Sequence, residues 1–169
     1  MTQIINGMLG LPKRAAFTAG SGDADNPLNA FDNALCECGI ENQSLIQITS
    51  ILPSNIEFID LPQFSIGSNI PVVQAKIISE KTGHTICAVV VAQRTEGDNS
   101  EPGPTLVAEF AGLKGKEEGI IEAKHRLKQM AKIRGLDLVG EIQIAACEHT
   151  VQQCGCALAF VVEVDRTDS

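Results

Sequence analysis

Thr49 and Ser50 stand side by side just ahead of Pro53 in the run Ser-Leu-Ile-Gln-Ile-Thr-Ser-Ile-Leu-Pro, residues 44–53. Leu45, Ile46 and Ile48 make a short apolar, β-branched series, and a proline cannot donate to a β-ladder, so a buried strand is expected to end near the two hydroxyls. A hydroxyl at a strained strand end can attack the carbonyl before it, because the lost ladder leaves that peptide free to distort while its flanks stay fixed. The everyday role of a Thr-Ser pair before a turn is to satisfy backbone groups, and these residues alone leave both readings open.

Other groups could join such chemistry. Residues 28–39 predict a helix of about three turns, with Pro27 before it and Gly39 as its terminator. Leu28, Phe31 and Leu35 fall on one stripe, and Asp32 lies at its edge, where an acid either meets a cation in a pocket or is solvated. Glu109 falls in an apolar run, residues 105–111, where alternation places Leu106, Ala108 and Phe110 on one face. Val107, Glu109 and Ala111 take the other, and the plain expectation is an outward-facing carboxylate. His149, beside Glu148 at a strand end, is either a general base or part of a turn cap. His84 and His125 occupy turn and helix-face settings that suggest nothing more, and no Ser-His-Asp order with elbow glycines supports a hydrolase triad.

The six cysteines, Cys36, Cys38, Cys87, Cys147, Cys154 and Cys156, include no CxxC pair. Cys36 and Cys38 would face different sides of a helix, and Cys154 and Cys156 share a strand face without forming a two-ligand clip, so no metal site is expected. Residues 20–27 read as an acidic, Gly-rich loop. It lacks the lysine and glycine spacing of a phosphate cradle, and Asp23 and Asp25 would repel an anion.

Around these groups, strands are expected at residues 15–19, 55–60, 71–80, 84–93, 136–147 and 154–164, with Lys81, Thr82 and Gly83 as a hairpin turn. Residues 95–104 read as a polar loop, residues 116–133 as a second helix ending near Gly135 through Ile120, Ile121, Ala123, Leu127 and Met130 or Ala131, and residues 167–169 as a polar tail. A chain of 169 residues with 44% apolar composition suits one domain with a sizeable core. Periodicity alone gives α+β. A net charge of -8 disfavours nucleic-acid binding. No run reaches the ~20 apolar residues of a membrane span, and the first residues lack signal-peptide features, which points to the cytoplasm.

The blocks from Pro27 to Asp32, Ala34-Leu35, Gly39-Ile40, Leu45-Ile46 and Ile48 to Pro53 resemble the signature of pyruvoyl-dependent arginine decarboxylases. The likeness continues at Glu109 within residues 106–112, at Met130-Ala131-Lys132, at residues 148–151 and at Gly155-Cys156-Ala157, in the family's order over most of the chain. It implies a four-layer αββα sandwich, trimers of αβ protomers or a dimer of trimers with sites between subunits, and autocatalytic serinolysis between Thr49 and Ser50. That cut would leave a β chain of residues 1–49 and an α chain of residues 50–169 opening on a covalent pyruvoyl group derived from Ser50, with no metal and no pyridoxal phosphate. The ketone would bind the α-amine of arginine as a Schiff base and accept electrons as CO2 leaves to give agmatine.

By the same resemblance Glu109 is the proton donor, in apolar surroundings that suit a carboxyl carrying and returning a proton. Asp32 grips the guanidinium in a bidentate pair, and Leu28 and Leu35 line the side-chain channel. Two positions depart from the family pattern. Ser44 stands where the family commonly has the Asn of the oxyanion role, and Thr49 replaces the more usual Ser, which should be tolerated because only its carbonyl is attacked. One alternative differs in class, an uncut binding or assembly homologue; a second keeps the pyruvoyl chemistry and changes the substrate to another amino acid.

Overall fold

The structure, a computed structural model, describes residues 10–166; the first residues read for a leader and the tail at residues 167–169 lie outside them. Two sheets stack face to face. Strands β1 (Pro12–Ala24), β2 (Ser44–Gln47), β4 (Glu57–Ile59), β5 (Asn69–Ser79) and β9 (Cys154–Arg166) form one, in the order β2-β5-β9-β1-β4. Strands β3 (Ile51–Leu52), β6 (Thr85–Glu96), β7 (Thr105–Gly112) and β8 (Asp137–Thr150) form the other, in the order β3-β7-β6-β8. Helix α1 (Pro27–Cys38) covers the outer face of the five-stranded sheet and α2 (Lys116–Ile133) that of the four-stranded sheet. The result is the four-layer αββα arrangement.

Strict alternation builds these layers. Ile86, Ala88, Val90 and Ala92 of β6 point between the sheets, where they meet Val73, Ala75, Ala157, Ala159 and Val161 of the opposite sheet. Cys87, Val89 and Val91 point outward and pack with Leu106, Ala108, Phe110 and the α2 residues Ala123, Leu127 and Ala131. Strands covered on both faces read as continuous apolar runs, which is why β6 and β9 lack a polar stripe. Burying Leu127 in that layer contributes about 1.5–3 kcal/mol.

Several expectations are corrected. The Gly-rich segment is no loop: β1 runs through it to Ala24, paired with β9 along its length. Its glycines serve close approach. A Cβ on Gly22 would stand 2.6 Å from both the Ala30 carbonyl oxygen and the Ala34 nitrogen, and one on Gly20 would stand 2.9 Å from the Cys38 nitrogen. The α1 surface that meets them is accordingly small: Ala30, Ala34 and Cys38 are buried, while Leu28 is 73% exposed. The stripe through Leu28 is thus displaced, and on α2 Ile121 likewise points out, 68% exposed.

The turn at Lys81 to Gly83 does not close a hairpin. It carries the chain from β5 in one sheet to β6 in the other, and residues 151–153 carry it back from β8 to β9. Only Glu57–Ile59 of the expected strand at residues 55–60 forms, in parallel with β1, and β6 extends to Glu96 into the loop expected from residue 95. Helix α2 matches its expected bounds, with Gly135 at φ 63° just beyond it.

Helix α1 can seat on β1 only while that strand lacks side chains beneath it. Gly22→Ala is therefore expected to destabilise the fold by ~1–3 kcal/mol through backbone displacement, read as a lowered urea midpoint. A midpoint at or above wild type would contradict this packing.

Candidate active site

Strand β2 lies at the edge of the five-stranded sheet, parallel to β5, with Gln47 opposite Val72. The Ile48 N–H still donates to the Val72 carbonyl at 2.9 Å. Three residues later the chain is in the other sheet: Ile51 faces Leu106 of β7, and the Val107 N–H donates to the Ser50 carbonyl at 3.0 Å. Thr49 and Ser50 therefore make the crossing, and neither belongs to a strand. The expected strand end is real but differs in kind, since β2 is a largely exposed edge strand and stops at Gln47. Within the crossing, the Ile51 N–H turns back to the Thr49 carbonyl at 2.9 Å.

The crossing delivers Ser50 to Glu109. The Ser50 Oγ donates to Glu109 Oε1 at 2.7 Å, between residues 59 positions apart. Alternation along β7 sets the carboxylate on the face shared with Val107 and Ala111, as read from sequence, but that face is the interior between the sheets rather than solvent. Both groups are half-buried. The strand is fastened from its other side, where Arg126 Nη1 donates to the Glu109 carbonyl at 2.8 Å and its guanidinium lies 5.1 Å from the Phe110 ring centroid. A nucleophilic hydroxyl, an acceptor for its proton and an adjacent peptide outside both ladders thus meet at one point.

The family model for Pyruvoyl-dependent arginine decarboxylase matches residues 14–168. The chain belongs to the pyruvoyl-dependent arginine decarboxylase family. A pyruvoyl-dependent arginine decarboxylase of Methanocaldococcus jannaschii is 39% identical over 153 residues, covering 88% of each chain. Another, of Pyrococcus abyssi, is 38% identical over 154 residues, covering 89% of this chain and 94% of that one. Among solved structures, a pyruvoyl-dependent histidine decarboxylase at pH 8 aligns with a TM-score of 0.44 and 14% identity, over 61% of this chain and 53% of that one.

The remaining residues that the decarboxylase resemblance nominates do not gather at Ser50 within one chain. Ser44 opens β2 opposite Asn69, four residues before Ile48, which is about 13 Å of extended strand. Its hydroxyl is not brought to the Thr49 carbonyl. Asp32 is exposed on α1, and that helix packs against β1, β9 and β5 on the outer face of the sheet that does not carry Glu109. Leu28 is exposed beside it, whereas Leu35 is only 8% exposed and packs under the helix, so it lines no channel in this chain.

His149 is neither a base at this site nor simply a turn cap. Its Nε2 lies 2.7 Å from Asp23 Oδ2, and the same carboxylate accepts the Gln152 and Gln153 N–H groups at 2.9 Å each. Asp23, misplaced in a loop by the sequence reading, thus pins the β8–β9 turn to the end of β1. Burial works to raise its pKa. The Gln152 N–H, the imidazole and the Gln153 N–H outweigh it, and the carboxyl is held below its ordinary 3.8. Burial pushes the Cys38 and Cys156 thiols up to about 12 and raises those of Cys87, Cys147 and Cys154, which disfavours the reactive thiolate at these five positions. Among the described residues no three His, Cys, Asp or Glu side chains gather to hold a metal ion.

Because the Asp23 pKa is lower folded than unfolded, its stabilisation is present above about pH 3.9 and is lost as pH falls through and below that value. Asp23→Asn is expected to cost ~1–3 kcal/mol near neutrality and to flatten the decline in stability below pH ~4. Urea unfolding between pH 7 and 3 measures both, and an unchanged acid limb would refute the assignment.

Proposed function

We propose that this chain cuts itself between Thr49 and Ser50 and, with the pyruvoyl group so formed, decarboxylates L-arginine to agmatine. The observation that carries the reading is the 2.7 Å hydrogen bond from Ser50 Oγ to Glu109 at the peptide where the chain changes sheets. The residues present suit the conversion. Ser50 passes its hydroxyl proton to Glu109 as Oγ bonds to the Thr49 carbonyl carbon, and the C–N bond breaks as the Ser50 nitrogen takes a proton, leaving an ester. Loss of the Ser50 Cα proton with cleavage of Cβ–Oγ frees the Thr49 carboxylate. Uptake of one water then expels ammonia and leaves a ketone at position 50. Throughout, the Val107 N–H holds the Ser50 carbonyl that becomes the start of the α chain.

That ketone, conjugated to the adjoining carbonyl, supplies an acceptor for the electron pair left when CO2 departs, which no ordinary side chain offers. Glu109, already beside position 50, returns a proton to the substrate Cα. The Asp32 carboxylate takes the guanidinium in a bidentate pair, which favours a planar fork over a lysine ammonium. Because Asp32 and Leu28 lie on the outer helix layer, we infer that they serve the Ser50 of a neighbouring subunit in a homo-oligomer, a trimer by family likeness. The six cysteines are unpaired, which fits a reducing compartment such as the cytoplasm.

Intact-mass analysis of purified protein is expected to give two pieces divided after Thr49, and Ser50→Ala a single uncut chain. Glu109→Gln should lower turnover of arginine by ~10²–10⁴-fold, and full turnover would remove it as proton donor. Asp32→Asn should raise KM for arginine about tenfold or more, the loss of a charge-assisted pair, while leaving lysine as poor a substrate as before. CO2 release from arginine no faster than from lysine, ornithine or aspartate would sink the substrate assignment.

A further inference from the structure

Addition of the Ser50 hydroxyl to the Thr49 carbonyl puts negative charge on the Thr49 oxygen, and that oxygen needs a donor. Ser44 is too distant within the chain to be one. We propose that the backbone N–H of Ile51 is the oxyanion donor of self-cleavage, an assignment that rests on the self-cleavage reading above.

The geometry is a three-residue turn. The Ile51 N–H reaches back 2.9 Å to the oxygen of Thr49, two positions earlier, so Ser50 is the central residue of a γ-turn. Ser50 does not have a positive φ, which makes this the inverse form. The nucleophile, the carbon it attacks and the donor to the attacked oxygen therefore belong to one turn. Attack by Oγ on the Thr49 carbonyl carbon closes a five-membered ring.

The donor is also fixed before the reaction begins. Ile51 is paired with Leu106 in β3, and the Val107 N–H grips the carbonyl of the same 50–51 peptide, so the plane of that amide is set by β7. On the other side, the Ile48 N–H is bound to Val72 of the opposite sheet. A donor held this way needs little reorganisation as charge develops. The bond is bent and weak in a neutral γ-turn, whereas a bond to a charged oxygen is roughly twice as strong, so the interaction favours the transition state over the resting peptide. No side-chain donor among the described residues is bonded to the Thr49 oxygen.

The test replaces one atom. Full-length protein carrying the α-hydroxy analogue of isoleucine at position 51 has an ester oxygen in place of that N–H and keeps the side chain. The change also weakens the Ser50 carbonyl as an acceptor, so a second protein carries the α-hydroxy analogue of valine at position 107, which removes the donor to Ser50, weakens the Leu106 carbonyl and leaves the Ile51 N–H in place. Intact mass against time counts fragments divided after Thr49, and circular dichroism reports folding. The expected result is cleavage slowed about 10²-fold or more by the change at 51 and less than tenfold by that at 107. Equal slowing in both proteins would mean that anchoring to β7 matters and the oxyanion assignment falls. A position-51 analogue that keeps pace with a dividing wild type overturns this assignment alone, whereas a wild type that never divides overturns the self-cleavage reading together with it. Folding of the uncut Ser50→Ala chain gives an independent check: the Ile51 amide proton should be protected from exchange, and exchange at the rate of an open peptide would refute the bond.

Discussion

The Thr49–Ser50 peptide is bridged to two sheets at once, and the remainder of the fold keeps those sheets a fixed distance apart. Ile48 is tied to Val72 in one, and Ser50 to Val107 in the other. Stacked sheets sit about 10 Å apart, so two residues suffice to cross but not to relax into either ladder. The spacing is enforced by the interleaved Ala and Val of β6 and β9, and each sheet is backed by a helix. A core of small, branched side chains is well suited to this, because it packs at high density with few rotamers and transmits displacement rather than absorbing it.

The same geometry explains why Thr49 and Ser50 lie at a sheet edge. β2 is the outermost strand of its sheet and β3 of the other. A central strand could not leave its ladder without stranding two neighbours' backbone groups, whereas an edge strand strands one. The edge also brings the crossing within reach of β7, whose inward face presents Glu109 between Val107 and Ala111.

Much of this was legible from residue pattern. The face on which Glu109 sits, both helices and the two hydroxyls outside a ladder followed from alternation, capping and the proline. Sheet membership did not. The turn at Lys81 to Gly83 carries hairpin chemistry, yet it passes between sheets, because the partner of a strand is chosen by distant apolar faces and not by its turn. Gly20 and Gly22 read as loop for a related reason: local chemistry cannot tell a glycine needed for flexibility from one needed so that a helix can approach. The carboxylate of Glu109 looked solvent-facing because one strand's alternation cannot say whether its second face is covered. Backbone donors such as the Ile51 and Val107 amides carry no side-chain signature at all and emerge only from coordinates.

A division of labour follows from the layers. The Ser50 hydroxyl and the Glu109 carboxylate, to which the proposed maturation falls, meet within one chain, half-buried at the junction of its two sheets. Asp32 and Leu28, which the proposed function assigns to the substrate, stand on an outer helix packed against β1, β9 and β5. Under the proposed function, folding of one chain supplies the nucleophile and its proton acceptor, whereas substrate recognition calls on a second surface. Under the same proposal, a ketone formed before assembly would face no guanidinium-binding acid, and arginine would be held at the reactive carbon only where a neighbour had completed the site.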